Sequence, residues 1–395
     1  MGWPYKKLGE VCKFQGGSQP PKSQFISQPA DGYIRLLQIR DFKSDTKAIY
    51  VPKSNKNRVC AEDDIMLARY GASVGQIHRG KAGAYNVALI KTTPDTDLLD
   101  KDFFYLYLLS DNFQKPLFSV AERSAQAGFS KADISPFLVP LPPIPEQQRI
   151  VAILDQAFAD IEKARANAEK NLKNARELFD SYLNQVFSQR GEGWVEKPLG
   201  DVICKTNTKD PRKNPELKFL YVDVSSVSNT TLEITEATEL LGKDAPSRAR
   251  RVISEGNVIF ATVRPTLKRI AIVPNRLDGE ICSTGYFVFE TSDELNNRYL
   301  YYFLQSYCFM GEMEKLQSGA SYPAVNDSQV KQTIIKYPSI TEQQSIVVSM
   351  DKLSKQVQQL EKGYQEKLDS LKELKKSLLQ KAFSGELTKT EGHAA

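Results

Sequence analysis

One stretch of this chain occurs twice, and no other feature restricts its possible folds as much. Pro145-Glu146-Gln147-Gln148-Arg149-Ile150-Val151 returns as Thr341-Glu342-Gln343-Gln344-Ser345-Ile346-Val347, displaced by 196 residues from Glu146 to Glu342. The same displacement carries Asp155 to Asp351, Glu177-Leu178 to Glu373-Leu374 and Phe187-Ser188 to Phe383-Ser384, with no gap. Looser echoes lie upstream. Trp3 with Leu8-Gly9-Glu10-Val11 answers Trp194 with Leu199-Gly200-Asp201-Val202, and Asp64-Ile65-Met66-Leu67-Ala68 resembles Asn257-Val258-Ile259-Phe260-Ala261. Phe104-Tyr105-Leu106-Tyr107-Leu108-Leu109 likewise resembles Tyr299-Leu300-Tyr301-Tyr302-Phe303-Leu304. The chain therefore reads as globule, helix, globule, helix.

Periodicity identifies the helices. From Ile150, apolar or small residues step by alternating fours and threes through Leu154, Ala157, Ile161, Ala164, Ala168, Leu172, Ala175, Phe179, Tyr182 and Val186, a coiled-coil seam with one stutter. The second copy uses Ile346, Met350, Leu353, Val357, Leu360, Tyr364, Leu368, Leu371, Leu374 and Leu378. Each copy follows prolines (Pro142, Pro143 and Pro145; Pro338), places a glutamate where the helix dipole favours it, and is followed by Gly191 or Gly385 as a stop. From Glu146 to Ser188 such a helix would extend about 65 Å at roughly 1.5 Å per residue. Ala157, Ala164, Ala168 and Ala175 of the first copy stand where the second has Leu353, Leu360, Tyr364 and Leu371. Large against small predicts that the two helices pack on each other, antiparallel. The alternative is two surface helices, each docked on its own globule.

The globules, residues 1–143 and 191–338, read as mixed α/β. Strands are expected at Tyr33–Ile39, Ile65–Ala68, Tyr85–Lys91, Phe219–Val224, Val258–Val263 and Tyr286–Glu290, and short buried helices at Phe103–Leu109 and Asn297–Leu304. The fold class expected is α+β: two similar mixed α/β domains separated by a pair of long antiparallel coiled-coil helices, with an internal pseudo-twofold repeat. Residues 144–190 form the central helix, and 339–395 the distal helix with the C-terminal tail. No apolar run suits a membrane span or a signal peptide, so a cytoplasmic location is expected. The five cysteines are widely spaced without a C-x-x-C pair, which encodes neither a disulfide framework nor a zinc site.

Several chemistries lack their residues. There are two histidines, and His393 lies in the terminal tail, so a nucleophilic triad would depend on His78, which is expected on a loop beside Arg79 and Lys81. Gly75-Gln76-Ile77-His78-Arg79-Gly80-Lys81 matches phosphate-loop spacing as far as its lysine, but Ala82 stands where a hydroxyl must hold magnesium. No dinucleotide-binding glycine motif and no Asn-Pro-Pro-Tyr-like tetrad occurs. Neither nucleotide hydrolysis nor methyl transfer has a site, and no cofactor or metal is expected.

What remains is a pair of basic clusters. Arg69-Tyr70-Gly71-Ala72-Ser73-Val74-Gly75, followed by Arg79 and Lys81, has its counterpart in Thr262-Val263-Arg264-Pro265-Thr266 with Lys268 and Arg269. Arginine suits base-edge readout, while Lys, Ser and Thr suit phosphate contact. A single basic loop is ordinarily a solvated surface; recurrence at matching places favours a nucleic-acid face. The net charge of +5 permits such a partner without demanding it. A second pair of loops also corresponds: Ser124–Lys131, with Gln126, Phe129 and Lys131, and Gln317–Tyr322, with Ser321 and Tyr322. These read equally well as base-contacting loops or as ordinary glycine-rich turns.

The architecture resembles the specificity subunit of type I restriction-modification enzymes, along essentially the whole chain. The repeated Glu-Gln-Gln-x-Ile-Val helix start, preceded by proline in both copies, and the Phe383-Ser384-Gly385-Glu386-Leu387-Thr388 ending carry the resemblance, with the loops after Arg69 and at Arg264-Pro265. The first copy departs from that ending, reading Phe187-Ser188-Gln189-Arg190-Gly191. The resemblance implies that each globule is a target recognition domain reading half of a bipartite site on double-stranded DNA, and that the helices are a spacer. It implies partners as well: two modification (methyltransferase) subunits and restriction subunits, which carry out the chemistry, so that the chain itself is not an enzyme. On that basis Glu146, Gln147, Gln148 and Ile150, with Glu342, Gln343, Gln344 and Ile346, are the expected spacer and partner-binding residues. A coiled-coil scaffold that never touches DNA is the leading alternative. An enzyme with Tyr-rich clefts is a third, weakened by the want of an acid/base pair at recognisable spacing.

Overall fold

The computed structural model describes residues 3–122, 128–189 and 191–389. Two compact units emerge: one comprises 1–168 with 366–395, the other 169–365. Both boundaries fall inside long helices, Ile144–Ser188 and Ile340–Ser384, each 45 residues. Each unit therefore holds one globule, half of the first helix and half of the second.

In the first unit, one four-stranded sheet runs Cys12–Gly16, Leu89–Pro94, Ile65–Ala68, Ile77–His78, and another runs Tyr50–Pro52, Tyr33–Leu37, Gly83–Tyr85, Val59–Cys60. In the second unit, a four-stranded sheet runs Thr238–Leu241, Lys218–Val222, Ile281–Ser283, Ala249–Val252, beside a three-stranded sheet of Ile270–Ile272, Val258–Ala261 and Tyr286–Phe289. Each globule contains one parallel pairing, Tyr33–Leu37 with Gly83–Tyr85 and Lys218–Val222 with Ile281–Ser283. Each globule is also closed by a small antiparallel ribbon, Tyr5–Lys7 with Leu138–Pro140 and Val195–Pro198 with Ile334–Tyr337.

Strands expected at Ile65–Ala68 and Val258–Val263 lie in the sheet centres, where every residue of Ile65–Ala68 and Val258–Ala261 is buried. The single strand expected at Tyr85–Lys91 is two, Gly83–Tyr85 and Leu89–Pro94, because the chain turns at Asn86, whose carbonyl accepts from Leu89 N at 3.1 Å. His78 is in a strand rather than a loop, stacked on Phe42 with centroids 4.6 Å apart. The expected short helices are Lys101–Leu109 and Asn297–Gln305, capped by Asp100 and Asn296, each accepting from two backbone amides.

The long helices are bound into the globule cores. Phe383, at the end of the second helix, packs on Phe103 and Tyr107 with centroids 5.1 and 5.8 Å away. Phe187, at the end of the first, packs on Tyr299 and Phe303 at 5.1 and 5.6 Å. These six residues are related pairwise by the displacement found in the sequence, with the helices exchanged between units. In the first unit the two helix halves run in opposite senses, since Glu146 meets Thr388 while Glu162 meets Lys375 at 3.3 Å. In the second unit Arg176 meets Glu361 at 2.6 Å.

The expected seam of the first helix is buried or half-buried at every position. That of the second is not: Leu360 and Leu374 are 45% and 47% exposed, and burial near the end falls on Leu379, Ala382 and Phe383, which join the first globule's core. Gly385 takes the left-handed conformation after the second helix, φ +78°, with Glu386 N on Lys381 O at 3.0 Å, as a C-terminal stop requires. Gly191 does not; Gly193 has the positive φ instead.

Candidate nucleic-acid interface

Each globule brings its two sequence-distant loops together beside one arginine. Arg69 follows the central strand Ile65–Ala68, and its guanidinium lies 4.5 Å from the ring centroid of Tyr70. Tyr70 bridges to Gly128, and Phe129 N donates to Arg69 O at 3.3 Å, so the segment after residue 127 is stitched to the arginine's own backbone. Arg264 follows the corresponding strand Val258–Ala261, and its guanidinium lies 4.7 Å from the ring centroid of Tyr322. Here Val263 bridges to Ala324, Arg264 N donates to Pro323 O at 2.7 Å, and Arg264 Nη2 reaches Ser321 O at 3.4 Å.

The local backbones reach this arrangement differently. Gly71 and Gly75 supply positive φ in the first globule, and a Cβ on Gly75 would sit 2.7 Å from Gln114 Oε1. In the second, Arg264 and Lys268 themselves take φ of +50° and +53° around the turn Pro265–Leu267. Left-handed backbone costs a non-glycine residue about 1 kcal/mol, and such strain concentrates at working sites.

The electrostatics favour an anionic or π-faced ligand. Tyr70 and Tyr322 are 43% and 69% exposed, so each arginine is presented on an aromatic plate instead of being buried in an ion pair. Arg69 Nε is itself buried and has no hydrogen-bond partner. Ser73 is half-buried in the turn Gly71–Ser73; Thr266, Lys131 and Ser321 are exposed, and Lys131 opens a short helix capped by Ser130 and Asp133. Lys268 lies 5.7 Å from the ring of Tyr307, itself 63% exposed, a second cation and ring pair that sequence reasoning missed. Its signal was faint, since Tyr307 opens a helix, Tyr307–Leu316, that the sequence did not suggest.

Other expected contacts are committed elsewhere. Arg269 Nη1 donates to Val224 O and Val227 O at 2.7 and 3.0 Å, and so braces the globule. Arg79 pairs with Asp102 at 2.5 Å and lies 4.0 Å from the Tyr105 ring centroid. Lys81 donates to Asp41 O at 2.6 Å and to the Asp45 carboxylate; that lysine, with Arg35, holds the Asp45 carboxyl below its ordinary range. Each of these three side chains thus spends at least one donor on holding the protein's own loops. Gln126 lies outside the described residues.

The residues expected at the helix starts divide by exposure. Gln147, Gln343 and Ile150 are fully buried, Ile150 as the first seam position. Glu146 is half-buried and accepts from the Thr388 hydroxyl, and Ile346 is half-buried against the second core. Gln148, Glu342 and Gln344 remain exposed.

Comparison with known proteins decides the family. The profile described as type I restriction modification DNA specificity domain matches residues 1–170 and again 191–370, one copy for each half of the repeat. The chain belongs to the type I restriction-modification specificity family. Among curated members of that family, the MjaVIII specificity subunit of Methanocaldococcus jannaschii is 23% identical, covering 91% of this chain and 90% of its own length. The EcoDI specificity subunit of Escherichia coli is also 23% identical, over 98% of this chain and 89% of its own. The fold is shared with a chain from a study of complex assembly and conformational transition of the type I R-M system, at TM-score 0.79 and 20% identity, covering 98% of each chain. It is shared too with the HsdS subunit of Thermoanaerobacter tengcongensis, at TM-score 0.61 and 19% identity, over 98% and 97%. Among the described residues of this family member, no helix is long and apolar enough to cross a membrane.

Proposed function

We propose that this chain is the non-catalytic, sequence-specific DNA-binding subunit of a cytoplasmic type I restriction-modification complex. Residues 1–143 and 191–338 each read one half of a bipartite site, and 144–190 with 339–395 form an antiparallel coiled-coil spacer that fixes the gap and docks two modification subunits. Restriction subunits join the same assembly.

The observation that carries this reading is the matched pair of arginines on exposed tyrosine plates, 4.5 and 4.7 Å from the ring centroids, each tied to its globule's second loop. A guanidinium carries several N–H donors, so one resting over a ring, even with Nη2 of Arg264 on Ser321 O, has donors left for the O6 and N7 edge of guanine, the commonest specific contact in the major groove. Arg69, Tyr70, Ser73 and Lys131 would serve one half-site, and Arg264, Thr266, Lys268, Tyr307, Ser321 and Tyr322 the other. Because flanking residues differ between the globules, the two half-sites differ. Spacer length supports the gap function: 45 residues extend about 68 Å, an upper limit near 20 base pairs at roughly 3.4 Å each.

The test is to map methylated adenines in cells carrying the complete system, then to exchange residues 1–143 for those of another family member. One half-site should change while the other half and the gap persist. A change in both halves, or in neither, would overturn the assignment.

A further inference from the structure

The repeated glutamine of each helix start is buried yet fully used, and it is used identically twice. Gln147 Nε2 donates to Leu98 O at 2.9 Å and to Pro142 O at 2.8 Å, while its Oε1 accepts from Asp100 N at 2.8 Å. Gln343 Nε2 donates to Glu294 O and Pro338 O, both at 2.9 Å, while its Oε1 accepts from Asn296 N at 2.8 Å. Both side chains are 0% exposed.

The partners give this arrangement its meaning. Asp100 and Asn296 are the N-caps of the short globule helices Lys101–Leu109 and Asn297–Gln305, and Pro142 and Pro338 lie on the chain entering the long helices. One amide thus ties three things in each unit: the loop that leads from the globule's sheet, the start of its short helix and the first turn of its long helix. A planar amide with both hydrogens and its carbonyl engaged admits one orientation, since any rotation of globule against helix strands a buried polar group. An apolar contact at this place would tolerate sliding.

We infer that Gln147 and Gln343 are positioning residues that fix the angle at which each recognition globule leaves its spacer helix, and thereby set how sharply the complex discriminates the gap between half-sites. This inference rests on the DNA-reading function proposed above. Neither glutamine touches DNA. Both act through the attitude of the globule.

The experiment uses the full-length chain assembled with its modification subunits, and a pool of duplexes bearing two randomised blocks separated by spacers of every length. Gln147→Met and Gln343→Met keep side-chain volume and remove the hydrogen bonds. They are compared with Leu36→Ala and Val222→Ala, buried sheet residues remote in sequence from the helix starts. The expected result is that the Met variants select the same half-site bases as wild type but lose about tenfold in preference for the correct gap over gaps one base pair longer or shorter. The Ala controls should lose affinity without broadening the gap. Should the Met variants not fold, Gln147→Asn and Gln343→Asn, too short to span all three partners, face the same comparison. A gap preference as sharp as wild type in the glutamine variants, or equal broadening in the controls, overturns the inference. A wild-type complex that enriches no paired sequence at any gap overturns instead the function on which it rests.

Discussion

The rings of Phe383 and Phe103 lie 5.1 Å apart, one from the last turn of the second long helix and the other from the core of the first globule. Phe187 and Tyr299 repeat the distance in the second unit, with the first helix as donor. Each globule therefore completes its core with the end of a helix that begins next to the other globule's sequence. This exchange explains why the compact units divide within the helices, and why the sequence repeat runs without a gap through Phe187-Ser188 and Phe383-Ser384.

Removing either ring should unsettle one unit selectively. Phe383→Ala is expected to cost about 3–5 kcal/mol, as for other buried aromatic deletions, and to raise hydrogen exchange in Lys101–Leu109 and Asp111–Ala121. Phe187→Ala should do the same to Asn297–Gln305 and Tyr307–Leu316. Exchange that rises equally in both globules for either variant would contradict the pairing.

The arginine plates should act independently. Arg69→Ala is expected to relax base preference at one half-site and Arg264→Ala at the other, each costing about 1–3 kcal/mol of binding to the correct sequence. Competition binding against single-base variants of each half-site measures this. Loss that is uniform over all sequences would reassign the residue to phosphate contact.

Protonation of His78 should destabilise the first unit. Burial, with Lys43 nearby, holds its pKa below the ordinary 6.5, and Nε2 has no hydrogen-bond partner. The unfolded chain therefore binds the proton more readily than the folded one. Stability is full above the unfolded-state pKa and falls as pH drops through it, until the folded histidine also titrates. Thermal melts between neutral and mildly acid pH should show this slope in wild type and a shallower one in His78→Phe. Parallel slopes would remove His78 as the cause.

Thiol reactivity should divide the cysteines. Burial pushes Cys12 and Cys282 up to about 12 and Cys60 up to about 11, whereas Cys204 and Cys308 are exposed. Titration of the native chain with an aromatic disulfide should give two fast thiols and three that react only on unfolding. Fast modification at Cys282 would contradict the packing of the second sheet.

Much of this was legible in the amino-acid sequence because it is local or repeated. The helices declare themselves by a period sustained from Ile150 to Val186, and the central strands by unbroken apolar runs such as Val258–Ala261. The second seam was misread at Leu360 and Leu374 because spacing cannot distinguish a leucine facing a partner helix from one facing water. The intramolecular contacts of Arg79, Lys81 and Arg269 were hidden for a related reason: a basic residue in a loop looks the same whether its donors face solvent or a carbonyl such as Val224 O. Gln147 carried a polar, helix-start signature that suggested an exposed surface, and its burial depends on Leu98 and Asp100, nearly fifty positions upstream. The meeting of Arg264 with Tyr322 was likewise hidden by the chain between them, although both had been marked separately.

The central claim is that helix length sets half-site separation. Inserting one heptad into each long helix, at matched positions, adds about 10 Å while nearly preserving the facing surfaces, since seven residues are close to two turns. Selection from duplexes of every spacer length should then recover the original half-sites with a gap longer by about three base pairs. Recovery of the same half-sites at the original gap would contradict the account.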